Sequence, residues 1–91
     1  MRLDLFLKAS RLILRRTLAQ EFCDAGRVKV NEAKAKSSRD VKELDEIEIR
    51  RNNRILKVRV LQVPNTKQVS KQTAANLYEV LSEEILNEEF R

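Results

Sequence analysis

Five cations stand in the first sixteen residues: Arg2, Lys8, Arg11, Arg15 and Arg16. Four of them are arginines, whose planar guanidinium forks donate to two phosphate oxygens at once, where an ammonium acts as a point charge. Arg15 and Arg16 are adjacent and directly precede a segment with helical spacing, and a helix start itself favours an anion through its free N–H groups. Two neighbouring guanidiniums repel unless something negative lies beside them, so this placement suits phosphate binding. A second set, Arg27, Lys29, Lys34 and Lys36, falls on or beside a short alternating stretch. With Val28 and Val30 turned to a core, Arg27 and Lys29 share the opposite face by alternation and would extend the same positive surface. The competing reading of both sets is a solvated charged face. For the second set that reading is equally good.

The charge is unevenly spread. Residues 1–39 hold ten Lys/Arg against four Asp/Glu, residues 40–71 eight against five, and residues 72–91 one against five. The net charge of +5 is therefore the residue of a basic front and an acidic tail. With a sequence pI near 9.7, the partner expected from charge alone is a polyanion, either nucleic acid or an anionic membrane surface.

Catalytic chemistry finds little to work with. There is no histidine, and the single cysteine, Cys23, rules out an intramolecular disulfide and suits a reducing compartment. One glycine cannot build a phosphate-cradling glycine loop. Asp45-Glu46 and Glu83-Glu84 carry carboxylates with no sign of a pocket, so they read as solvated surface, and Cys23 as a small buried side chain. The expectation is no enzyme, no cofactor and no metal. Asp4, Lys8 and Arg11 interrupt the opening apolar run, so no signal peptide is expected there. No stretch is long and apolar enough to span a membrane. A soluble cytoplasmic protein, most simply a monomer, is expected.

The elements that must position these residues follow from periodicity. Leu3, Phe6 and Leu7 share one face of a short helix, with Asp4 in its first turn. A second helix is predicted from Thr17, as N-cap, to Ala25, with Leu18, Phe22 and Ala25 on one face and Gly26 as its left-handed stop. Arg27–Val30 alternates as a strand, Asn31-Glu32 as a turn and Ala33–Lys36 as its return. Residues 47–50 and 55–63 read as two further strands joined through Asn52-Asn53. Residues 64–73 are polar and read as a linker. Beyond it Ala74, Leu77, Tyr78, Leu81 and Ile85 fall at helical spacing with glutamates opposite, predicting an amphipathic helix over 74–91 packed on a domain of residues 1–63. The class is α+β.

Aromatic residues make up only 4%. Phe6, Phe22 and Tyr78 sit at core-spaced positions, and Phe90 lies close to the end. A protein that reads splayed single strands uses aromatic platforms. Their scarcity favours folded RNA held through phosphates and shape.

Three stretches in order resemble the S4 RNA-binding domain: Arg2-Leu3-Asp4-x-Phe6-Leu7, Arg15-Arg16-Thr17-x-Ala19, and Gly26-x-Val28-x-Val30-Asn31. Asp40-Val41-Lys42 followed by Asp45-Glu46-Ile47 is similar to the family's closing stretch. The resemblance covers about residues 2–50 and implies helices packed on a small, strongly bent antiparallel sheet that presents a basic surface to ribosomal RNA or tRNA. At two places where the family has glycine, Glu32 and Leu44 stand here, which puts the turns rather than the RNA face in question. By position, Arg2 and Arg16 match basic motif residues expected at an rRNA–tRNA junction, with Lys8, Arg11 and Arg15 beside them. Asp4 matches the motif's aspartate, which either orients an arginine or caps the helix.

The tail Ala74-Ala75-Asn76-Leu77-Tyr78 narrows the resemblance to small S4 proteins of ribosome-associated quality control. It implies a factor that binds obstructed large ribosomal subunits at large-subunit rRNA and peptidyl-tRNA, and that supports C-terminal alanine tailing by an NEMF-family partner. Two alternatives stay open: a general ribosome-assembly or heat-stress rRNA-binding factor, and a protein-interaction adaptor working through the acidic C-terminal helix.

Overall fold

The structure is a computed structural model, and it describes residues 1–86. Two short helices, α1 (Leu3–Ala9) and α2 (Arg16–Asp24), open the chain. Five antiparallel strands follow: β1 (Val28–Val30), β2 (Ala33–Lys34), β3 (Glu46–Arg51), β4 (Arg54–Val60) and β5 (Tyr78–Ile85). They lie in the order β2-β1-β3-β4-β5. One core joins the layers. Leu3, Phe6, Leu7, Ile13 and Ala19 from the helical region bury against Val28, Val30, Ile47, Ile49, Val58 and Val60 of the sheet. Those sheet positions are the alternate residues of each strand, as period two demands. The α+β, S4-like expectation is met.

The helices are shorter than the apolar spacing alone allows. α1 stops at Ala9 with Ser10 as C-cap, and Arg11 then takes φ 63. That left-handed step costs a non-glycine residue about 1 kcal/mol, and it turns Ile13 back into the core, its N–H on the Leu7 carbonyl at 3.1 Å. α2 begins two residues earlier than Thr17 as N-cap implies. Arg15 is its N-cap and makes no side-chain capping bond. At its other end Gly26 sits at φ 74, as expected of the only glycine.

Leu18 departs from the core expected of it, and Phe22 joins that core only at its edge. Phe22 is half-buried and Leu18 exposed, because Ala19 and Cys23 are the residues of α2 that meet the sheet. The β1–β2 turn holds Asn31 at φ 51 and Glu32 at φ 71, and Leu44 holds φ 74. Both positions where the S4 pattern has glycine thus adopt the backbone that favours glycine, with a side chain carried there regardless.

The C-terminal helix over 74–91 is corrected. A five-residue helix, α3 (Lys71–Ala75), is capped by the Ser70 hydroxyl accepting from the Thr73 N–H, and the chain then enters β5. Pairing runs from Val60↔Tyr78 to Arg54↔Ile85, with a bulge at Lys57/Val58. The physical reason is the edge of β4. A row of backbone N–H and C=O groups there needs partners, and an eight-residue strand supplies them. Alternation also sets Glu79 on Arg59 at 3.0 Å and Glu83 by Arg54 at 3.4 Å. Of the expected Leu77/Leu81/Ile85 stripe only Leu77 is buried, while Leu81 and Ile85 are exposed. Glu88 and Phe90 lie outside the described residues.

The linker is not a free tether. Val69 packs against the core, Ala74 is buried, and the Leu61 N–H donates to the Leu77 carbonyl at 2.8 Å. No helix among the described residues is long and apolar enough to cross a membrane.

Candidate nucleic-acid interface

Asp4 is fully buried in the first turn of α1, and its carboxylate gathers the starts of both helices. Oδ1 accepts from the Leu5 N–H at 2.8 Å and from Arg2 Nε at 3.2 Å. Oδ2 accepts from Gln20 Nε2 at 2.8 Å, Arg16 Nε at 3.2 Å and Arg2 Nη2 at 3.3 Å. A buried carboxylate is stable only with such satisfaction. Burial pushes its pKa up, but the bonds from Gln20, Arg16 and Arg2 outweigh this and hold it below the ordinary carboxylate value.

The consequence for the arginines is orientation. Arg2 is the N-cap residue of α1 and Arg16 the first residue of α2. Each side chain remains about two-fifths exposed, at 44% and 41%. Arg16 engages Asp4 through Nε alone, and its terminal nitrogens make no hydrogen bond among the described residues, so their donors remain unspent there. Arg15, beside it, is exposed. The region before Asp4 is held by the chain crossing it, through Leu3 N–H to the Arg39 carbonyl at 2.7 Å and Asp4 N–H to the Ser37 carbonyl at 3.1 Å.

The remaining expected residues divide. Lys8 and Arg11 flank the end of α1, where Arg11 Nη2 reaches the Val69 carbonyl at 3.4 Å and Lys67 joins them around one groove. Arg27 lies 5.5 Å from the centre of the Phe22 ring, and Arg51, which sequence reasoning passed over, lies 5.6 Å from it. Arg51 also donates to the Leu12 carbonyl at 2.6 Å, fastening the β3–β4 hairpin to the α1–α2 connection. Lys34 and Lys36 line a shallow cleft at the end of α2 with Gly26 and Cys23.

Lys29 does not share a surface with Arg27. It sits on the outer sheet face, its Nζ 4.0 Å from Glu48. That face is a balanced ionic network: Lys57 with Glu46 at 3.7 Å, Arg59 with Glu46 at 3.4 Å and with Glu79 at 3.0 Å. Hydrogen bonds to Glu79 and then Glu46 raise the Arg59 pKa further. Lys29, Lys57 and Arg59 of the outer sheet face are thus paired with carboxylates, whereas Lys8, Arg11 and Arg15 have no carboxylate partner among the described residues. On the helical side these three cations therefore stay unpaired, while Arg2 and Arg16 share the buried Asp4. Gln20, the shortest side-chain partner of Asp4, was also missed; its only sequence signal is its place one turn after Arg16.

A model of the S4 domain matches residues 1–47. The chain is 51% identical over 83 residues to the RQC P-site tRNA stabilizing factor of Streptococcus pneumoniae, covering 91% of this chain and 92% of that one. It is 49% identical over 88 residues to the factor of the same name from Bacillus subtilis, covering 97% and 100%. Among solved structures, trimeric heat shock protein 15 of Vibrio cholerae superposes with a TM-score of 0.81 at 26% identity over 90% of this chain and 82% of that one. The solution structure of the hypothetical protein HP1423 gives 0.79 at 33% identity over 92% and 100%. The buried aspartate between two arginines, the two helices on a five-stranded sheet and these likenesses together establish that the chain belongs to the S4 domain family and, within it, to the family of RQC P-site tRNA stabilizing factors.

Proposed function

We propose that this protein is a non-catalytic RNA-binding factor of ribosome-associated quality control, working in the cytoplasm on large ribosomal subunits obstructed by peptidyl-tRNA. The observation that carries the reading is the Asp4 cluster, which aims the Arg2 and Arg16 guanidiniums outward from a rigid buried anchor. An arginine held by its inner edge loses less freedom on meeting a phosphate than a free one, so binding costs less entropy. Arg15, Lys8 and Arg11 add unpaired charge on the same helical side. The expected mechanism is docking on large-subunit rRNA phosphates together with contact to the P-site tRNA. The factor thereby holds that tRNA while an NEMF-family partner extends the stalled chain with alanine. The names of the relatives support the quality-control context.

Sedimentation with obstructed subunits tests this. Arg2→Ala with Arg16→Ala is expected to release the protein from them and to lower the slope of log affinity against log salt by about 2, one for each phosphate no longer neutralised. Wild-type binding by the double variant would remove those residues from the interface. A second reading, a heat-stress or assembly factor, draws on the likeness to heat shock protein 15. Crosslinks in cells confined to assembly intermediates, with none to tRNA, would favour it. The adaptor reading loses the helix it was built on, since residues 78–85 are a strand.

A further inference from the structure

A groove of about 370 Å³ runs between the end of α1 and residues 67–69, and Lys8, Arg11 and Lys67 line it. Lys67 comes from a segment distant in sequence, and the fold goes to some length to bring it there. The left-handed backbone at Arg11 turns the chain at the end of α1, and its guanidinium then holds the incoming segment through the Val69 carbonyl. That bond uses one of the five N–H donors of the guanidinium and leaves the others available. None of the three cations has a carboxylate partner among the described residues, whereas Lys29, Lys57 and Arg59 on the outer sheet face each meet one. Three like charges around one groove raise each other's energy until an anion enters.

The rest of the lining narrows the anion. Leu14, 70% exposed, and Val69 give the groove an apolar side, and Gln68 adds an amide. The volume falls in the range of small-molecule sites, about 300–1,000 Å³, and exceeds what a bare phosphate fills. Cations, an amide and an apolar wall together match a nucleotide unit: phosphate, polar edge and ring or sugar face. Lys8 lies four residues, about 6 Å, beyond Asp4 along α1 and on the same side of that helix.

We propose that this groove holds one nucleotide of an RNA strand, its phosphate on Lys8, Arg11 and Lys67 and its base or ribose against Leu14. The inference rests on the RNA-binding reading above and extends it to the segment after Pro64, giving that connection a role in binding.

The test uses full-length protein and obstructed large subunits carrying peptidyl-tRNA. Lys67→Glu, an exposed charge reversal outside the core, is expected to weaken binding about tenfold, and Lys67→Ala to lower the salt slope by about 1. In parallel, a short photocrosslinker is placed at Asn65→Cys, beside the groove, or at Thr17→Cys, beside Arg16, with buried Cys23 left unlabelled. RNA adducts from both positions, with the nucleotide and its parent tRNA or rRNA read by sequencing, are the expected result. Wild-type affinity of Lys67→Glu, or adducts from position 65 to protein alone while position 17 reaches RNA, overturns the groove and leaves the broader reading standing. Absence of RNA adducts from both positions overturns both.

Discussion

The Asp4 carboxylate and the Arg16 guanidinium, twelve residues apart in sequence, meet with Oδ2 3.2 Å from Nε. This pair links the start of α1 to the start of α2, and the same carboxylate holds Arg2. One buried anion thus sets the direction of two cations and the docking of two helices, which ties the stability of the domain to the geometry of its charged face.

Replacing Asp4 by Asn removes the charge with little change of shape. The expected loss is about 2 kcal/mol in urea unfolding, reduced from the figure for a wholly buried pair because both arginines are partly solvated. The pH dependence follows from the lowered pKa of Asp4. The folded value lies below the unfolded one, so the contribution is complete above the ordinary carboxylate value and disappears as pH falls through the folded one. The gap between wild type and Asp4→Asn should therefore narrow on acidification. A gap that is constant with pH would show that the charge of Asp4 does not stabilise the fold.

The two residue types at left-handed positions predict opposite signs. Gly26→Ala is expected to cost about 1 kcal/mol. Its φ is 74, and the atoms nearest a Cβ there belong to the flexible Lys34 side chain, the closest at 3.3 Å. Leu44→Gly should stabilise by up to about 1 kcal/mol, since Leu44 holds φ 74 and its side chain is 71% exposed. Thermal unfolding reads both, as shifts of roughly 4–8 °C in opposite directions for a domain of this size.

Leu77 is the anchor of the C-terminal segment. It is fully buried, and its carbonyl accepts from the Leu61 N–H. Leu77→Ala should cost about 3 kcal/mol and speed hydrogen exchange along β5 and at Leu61. A cost below about 1 kcal/mol would mean that this segment is not docked on the sheet.

Cys23 should resist alkylation in the native state. Burial, with help from Asp4 and Asp24, pushes its pKa to about 11, so the reactive thiolate is scarce at pH 8. Labelling by iodoacetamide is expected to be slow in buffer and rapid in urea. Fast native labelling would place the thiol at the surface.

Much of the helical half was legible because its signals are local. Gly26 marked the end of α2, the Asn-Asn pair marked the β3–β4 turn, and Val28, Val30, Ile47 and Ile49 declared their inward face by alternation. The tail was misread for a physical reason. Residues 74–85 satisfy a helical stripe, yet Tyr78, Val80 and Ile85 also suit a strand, and such a local tie is broken by the open edge of β4. Leu18 is left exposed and Phe22 packs only at the edge of the core, because periodicity gives the apolar face of a helix without saying how much of it the sheet covers.

The sequence by itself determined the charge asymmetry, the α+β class and the candidate residues for phosphate binding, since these depend on composition and short-range spacing. Only the tertiary structure decided which cations remain available. Lys29, Lys57 and Arg59 meet carboxylates across the sheet, Arg2 and Arg16 are aimed by a buried aspartate, and Lys67 is carried to Lys8 and Arg11. The availability of a charge depends on what lies within a few ångströms of it, and residues distant in the chain become neighbours only when it folds.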